Sequence, residues 1–146
     1  MKKKNILSVK NLKKVYSSKL TEDNLALNNL NLDVKEGEIF GLLGPNGAGK
    51  TTFINILAGT VIKTGGQVNV WGFDLDKSPR QVRASVGIVP QEVNLDPFFS
   101  PRKLLELQAG LYGVQEKDRI TDTILKLVSL EKQANSYARS LSGGMK

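Results

Sequence analysis

The run Gly44-Pro45-Asn46-Gly47-Ala48-Gly49-Lys50-Thr51 constrains this chain more than any other stretch. Its spacing is G-x-x-x-x-G-K-T, the pattern of a backbone loop that cradles phosphate. Ahead of it stands Ile39-Phe40-Gly41-Leu42-Leu43, an apolar run of strand length. Behind it, Thr52-Phe53-Ile54-Asn55-Ile56-Leu57-Ala58 predicts a helix. Strand, glycine-rich turn and helix is the context in which such a loop works.

Each residue type has a chemical reason. Backbone N–H groups surround a triphosphate only where side chains stay clear, and Gly44, Gly47 and Gly49 permit that approach. The helix behind the loop adds unpaired N–H groups and its dipole. Lys50 supplies a point charge for the β- and γ-phosphates, and the Thr51 hydroxyl is the expected Mg²⁺ ligand. Pro45, Asn46, Ala48 and Thr52 complete the nucleotide-contacting stretch. A chance match in a chain of this length is on the order of one in a few hundred.

The remaining chain fits one domain's worth of sequence. Of its 146 residues, 40% are hydrophobic and 24% charged, as in an ordinary globular protein. No apolar run reaches the length of a membrane span. The basic start Met1-Lys2-Lys3-Lys4-Asn5 lacks the apolar stretch of a signal peptide. With no cysteine there is no disulfide framework and no thiolate metal site. These features favour the cytoplasm. The net charge of +7 fits either an anionic partner or a solvated surface. Apart from the cluster at Lys2, Lys3, Lys4, Lys10, Lys13, Lys14 and Lys19, its lysines and arginines are spread along the chain, which favours the surface.

Taken in order, residues 5–16 predict a strand with Ile6, Val9, Leu12 and Val15 as its apolar members. Residues 17–24 read as a loop. Leu30, Leu32 and Val34 alternate with polar neighbours in a second strand, and Lys35-Glu36-Gly37-Glu38 is a turn. An antiparallel hairpin therefore feeds the loop strand. Residues 67–71 alternate as a further strand, and residues 72–78 form a loop. Ser78-Pro79 opens a brief helix through Ala84. Val86-Gly87-Ile88-Val89 reads as a buried strand ended by Pro90. Ser100-Pro101 starts a helix with Leu104, Leu105, Leu107, Leu111 and Tyr112 on its apolar face, ending at Gly113. Ile120, Ile124, Leu125, Leu127 and Val128 form the face of a second helix. Both faces are expected to be core.

Three stretches coincide in order: the G-P-N-G-A-G-K-T loop, Gln91 just past the run Val89-Pro90, and the ending Leu141-Ser142-Gly143-Gly144-Met145. Together they closely resemble the nucleotide-binding domain of ATP-binding cassette (ABC) transporters, over essentially the whole chain. The wording around Gly87-Ile88-Val89-Pro90-Gln91-Glu92 and the Met of L-S-G-G-M look most like ABC-2 type exporters. The resemblance implies an α/β fold: a P-loop NTPase core with an N-terminal antiparallel β-subdomain and a helical subdomain, incomplete at the C-terminus. It divides the chain into the β and phosphate-loop core (1–91), the helical subdomain (92–140) and the signature motif (141–146).

The same resemblance implies roles. Tyr16 lies where the family stacks an aromatic ring on adenine. Gln91 is the Q-loop residue, approaching Mg²⁺ and the attacking water. Ser142, Gly143 and Gly144 contact the γ-phosphate of a nucleotide held by a second subunit. The cofactors are ATP and Mg²⁺. The partners are a membrane-spanning permease and a second nucleotide-binding subunit, a homodimer being favoured, with no nucleic acid expected. The expected location is cytoplasmic, peripheral on the inner face of the cell membrane. A soluble ABC protein acting on ribosomes or nucleic acid is the alternative, and a naturally short, non-hydrolysing module is a third reading. Phosphoryl transfer also needs a carboxylate for Mg²⁺ and a water-positioning base. The family supplies an Asp and a Glu after four apolar residues, and a switch His. No such run occurs here, and the chain has no His. The chain is therefore expected to be the N-terminal part of a longer subunit, marginally stable alone, binding ATP weakly without steady-state turnover.

Overall fold

The structure, a computed structural model, describes residues 4–17, 22–89 and 96–145. The chain divides into two compact units, Met1–Ile88 and Val89–Lys146.

The first unit is built on a four-stranded antiparallel sheet in the order β2-β1-β3-β4. Its strands are β1 (Asn5–Tyr16), β2 (Asn24–Lys35), β3 (Gly65–Val70) and β4 (Phe73–Asp74). Helices α1 (Lys50–Ala58) and α2 (Pro79–Ala84) complete it. Val9, Leu12, Leu27, Phe53, Ile56, Val68, Val70 and Val82 form one buried cluster that joins the sheet to both helices.

The three-residue spacing of Val9 and Leu12 does not match a regular strand, whose faces alternate every second residue. A β-bulge resolves it. Val9 pairs with Leu32 and Leu12 with Leu30, so β1 carries one residue more than β2 there. The same extra residue appears against β3, between the pairs Lys10↔Gln67 and Lys13↔Gly65. Asn11 takes the left-handed conformation at φ 50°, and its N–H is taken up by Asn31 Oδ1 at 2.8 Å. Both Val9 and Leu12 thereby reach the core. Gly66, at φ 86°, packs so tightly on the bulge that a Cβ would overlap the Asn11 carbonyl oxygen.

Two expected strands do not form. Residues 39–43 and 86–89 are not part of any strand among the described residues. Ile39 and Leu43 are 104% and 93% exposed, and Val89 is fully exposed as well. Their continuous apolar composition is that of parallel strands covered on both faces, and such strands exist only with parallel neighbours. The described sheet is wholly antiparallel. In the other direction, the expected loop at residues 72–78 includes β4, and Trp71, expected in the strand, lies in the turn that follows β3. Trp71 and Gly72 both take positive φ (52° and 87°) between the paired Val70 and Phe73. That is the two-residue hairpin turn that matches strand twist.

The second unit holds α3 (Pro101–Leu111), α4 (Thr121–Leu127) and short 3₁₀ turns. Ser100 Oγ accepts from Lys103 N at 3.3 Å, capping α3 as its sequence predicts, and Gly113 ends the segment at φ 72°. Glu106 of α3 accepts from the Thr121 hydroxyl and pairs with Arg119 at 2.5 Å. Arg102 pairs with Asp122 at 2.6 Å. This polar lacing fixes the start of α4 against α3.

The apolar stripes are only partly core. Leu125 is buried, whereas Leu107, Tyr112, Ile120 and Val128 are exposed, and Leu111 and Leu127 are about three-quarters exposed (75% and 78%). Among the described residues of its unit α4 has one α-helix, α3, to pack on, and a single neighbour covers one side of a wide stripe. Leu104, Leu105, Ile124, Leu125, Leu141 and Met145 instead line an apolar groove of about 840 Å³.

Candidate nucleotide-binding site

The loop at residues 44–51 is shaped by its glycines. Gly47 and Gly49 lie at φ 82° and 86°, a region that side chains disfavour. Ala48 N donates to Pro45 O at 3.3 Å, closing a turn over Asn46 and Gly47. Gly49 is wedged against β2: a Cβ there would overlap the Ala26 carbonyl oxygen and stand 2.7 Å from Leu27 Cδ2. Gly44 is less confined, its Cβ position being 3.3 Å from that of Ala48.

Helix α1 starts at Lys50 with no side-chain cap. Among the described residues, its first N–H with a backbone acceptor is that of Phe53, bonded to Gly49 O at 2.9 Å. The N–H groups of Lys50, Thr51 and Thr52 are the open first turn and carry the positive end of the helix. Lys50 Nζ turns back across the loop and donates to Gly44 O at 2.6 Å and Pro45 O at 2.7 Å. The ammonium thus closes the loop into a ring and stands where the loop curls. Thr51, on the same first turn, keeps its side chain exposed. Left-handed glycines, open N–H groups, one ammonium and one hydroxyl fit a phosphate chain with Mg²⁺.

Tyr16 ends β1, opposite Asn24, in the same unit as the loop. Lys14 Nζ stands 4.6 Å from the centroid of its ring. Here the register of β2 carries an extra residue. Lys14 pairs with Leu27 and Val15 with Leu25, so Ala26 bulges out. Ala26 and Leu27 are the residues against Gly49. The bulge therefore joins the end of β1 to the phosphate loop through two residues of β2. Sequence reading missed Lys14, Ala26 and Leu27. Only the position of Lys14, two residues before Tyr16, hinted at its contact.

Gln91 lies outside the described residues. Ser142, Gly143 and Gly144 belong to the second unit and are exposed. Buried Leu141 anchors them, and Met145 N donates to Ser142 O at 3.0 Å to close a 3₁₀ turn over Gly143–Met145. Among the described residues, no three His, Cys, Asp or Glu side chains gather as a metal site.

Residues 27–146 match the family described as ABC transporter. The chain belongs to the ABC transporter family. It is 38% identical over 143 residues to a Nod factor export ATP-binding protein I of Cupriavidus pinatubonensis, covering 97% of this chain and 42% of that protein. It is 35% identical over 144 residues to the linearmycin resistance ATP-binding protein of Bacillus subtilis, covering 97% of this chain and 44% of that protein. The chain thus spans less than half the length of these two curated relatives. Among solved structures it resembles an ATP-binding subunit of an ABC transporter, with a TM-score of 0.83, 28% identity and coverage of 96% of this chain and 57% of the other. It also resembles a dimeric ATP-binding cassette in a post-hydrolysis state bound to ADP and Pi, with a TM-score of 0.82, 30% identity and coverage of 95% and 64%. The α/β cassette fold, with an antiparallel β-subdomain beside the phosphate loop and a helical unit, is therefore that of ABC ATPases.

Proposed function

We propose that this ABC chain is the ATP-capturing part of an exporter subunit. The observation that carries the reading is the loop itself: Gly47 and Gly49 held left-handed, Gly49 pinned to β2, and Lys50 curled over an uncapped helix start. The triphosphate lies along Gly44, Pro45, Asn46, Gly47, Ala48, Gly49, Lys50, Thr51 and Thr52. Thr51 holds Mg²⁺, and adenine stacks on Tyr16. Gln91 positions Mg²⁺ and water. Ser142, Gly143 and Gly144 meet the γ-phosphate of a nucleotide on a second copy. The functional divisions are residues 1–91, 92–140 and 141–146.

Export is supported by the names of the relatives, which concern Nod factor export and linearmycin resistance. A second nucleotide-binding subunit is supported by the dimeric state of the similar cassette. A permease partner fits the exposed apolar residues Leu107, Leu111 and Leu127 of the helical unit. Among the described residues, no helix is long and apolar enough to cross a membrane. The proposed location is the cytoplasmic face of the membrane, on that permease.

Residues 1–146 contain no four-residue apolar run followed by Asp and Glu, and no His. They are expected to capture ATP without turning it over. Calorimetric titration of the purified chain with Mg-ATP tests the reading, alongside a phosphate-release assay. Saturable binding that Lys50→Met weakens by an order of magnitude or more, with turnover at background, is the expected result. Absence of any saturable binding by ATP or by inorganic tripolyphosphate overturns it.

A further inference from the structure

Lys14 lies outside the phosphate-loop motif, on β1 two residues before Tyr16. Its ammonium sits 4.6 Å from the Tyr16 ring centroid, within the range of a cation–π contact. Lys14 is also the residue directly across from Leu27, which packs on Gly49. Lysine stem, tyrosine ring and phosphate loop are therefore tied to one short segment of β2.

We infer that Lys14 is a positioning residue for the nucleobase, a role that rests on the nucleotide reading above. A cation over one ring face draws π-density toward itself. The other face becomes less negative and repels the π-cloud of a purine less, so stacking there strengthens. The contact also restricts the ring to one orientation at the end of β1, where Tyr16 is otherwise more than a third exposed. A ring held before binding loses less rotamer freedom on binding. The charge acts on the base through Tyr16 and makes no contribution at the phosphates.

The test separates base from phosphate. Dissociation constants for Mg-ATP and for inorganic tripolyphosphate are measured on the intact chain, on Lys14→Met and on Lys14→Arg. An exposed cation–π contact corresponds to about a two- to fivefold change in affinity. Lys14→Met is expected to weaken ATP by that factor and leave tripolyphosphate unchanged, with Lys14→Arg restoring ATP because guanidinium also stacks on rings. Equal weakening of both ligands overturns the inference, since the lysine then acts on phosphate as a plain charge. An unchanged ATP constant in Lys14→Met overturns it too, while nucleotide binding by the parent chain stands. A parent chain that binds neither ligand overturns the nucleotide reading and this role with it. Far-ultraviolet circular dichroism of each variant shows that the sheet is intact.

Discussion

Gly49 and Ala26 are in backbone contact: the α-carbon of the loop glycine faces the carbonyl oxygen of the bulged strand residue with no room for a methyl group between them. The phosphate loop is thus located by the β-subdomain and not only by the helix that follows it. Gly49→Ala adds a left-handed cost of about 1–2 kcal/mol and a steric cost of about 1–3 kcal/mol. Thermal unfolding should register the loss, and ATP affinity should fall with it. Gly44→Ala, where Ala48 Cβ gives way more easily, is expected to be milder on both measurements.

Lys50 predicts a different pattern. Its two bonds to Gly44 O and Pro45 O lie at the exposed surface, so Lys50→Met should change the melting temperature little. A charge-assisted bond to phosphate is worth about 1.5–3 kcal/mol, or roughly a 10- to 150-fold loss of ATP affinity. Paired calorimetric and melting data on this variant check both halves.

Glu106 should give the helical unit an acid sensitivity. The Thr121 hydroxyl, then the Arg119 guanidinium, hold its carboxyl below the ordinary value of 4.5. A carboxyl depressed in the folded state contributes stability above its ordinary value and loses it as pH falls from there through the lowered folded value. Unfolding followed by circular dichroism between pH 7 and pH 3 should show this loss below about pH 4.5. Glu106→Gln should flatten that part of the profile. A profile identical in the two proteins would show that the lacing of α3 to α4 contributes nothing.

The apolar stripes can be sorted by truncation. Leu12 has no exposed surface, and Leu12→Ala should cost about 2–5 kcal/mol in denaturant unfolding. Leu111, 75% exposed, should cost within about 0.5 kcal/mol when replaced by Ala.

Much of this was legible in the sequence where local chemistry decides structure. Ser78-Pro79 and Ser100-Pro101 marked the starts of α2 and α3, because proline at the first helical position loses no bond. The loop glycines were legible because only glycine adopts those angles at no cost. What stayed hidden depends on partners distant in sequence. Residues 39–43 have the composition of a strand, but pairing makes a strand, and composition does not report whether a neighbour is there. The bulges at Asn11 and Ala26 are one-residue steps in register, visible only once the facing strand is known. The Trp71-Gly72 turn lacks the Asn-Gly wording that flags such hairpins. Within the site, Lys14 and Leu27 owe their places to register, whereas Lys50 and Thr51 owe theirs to the motif.

The bare backbone of residues 39–43 has a thermodynamic consequence for the loop it leads into. Holding a residue in one conformation costs about 1–2 kcal/mol, and pairing along this run or anion capture at Gly44 would each restrict the same short piece of chain. Whichever event comes first leaves less freedom for the other to remove. Under the proposed nucleotide reading the two would be cooperative and reciprocal: a strand docking beside residues 39–43 would raise phosphate affinity by some factor, and phosphate would raise the affinity for that strand by the same factor. Nucleotide affinity in this cassette would in that sense be a readout of sheet assembly.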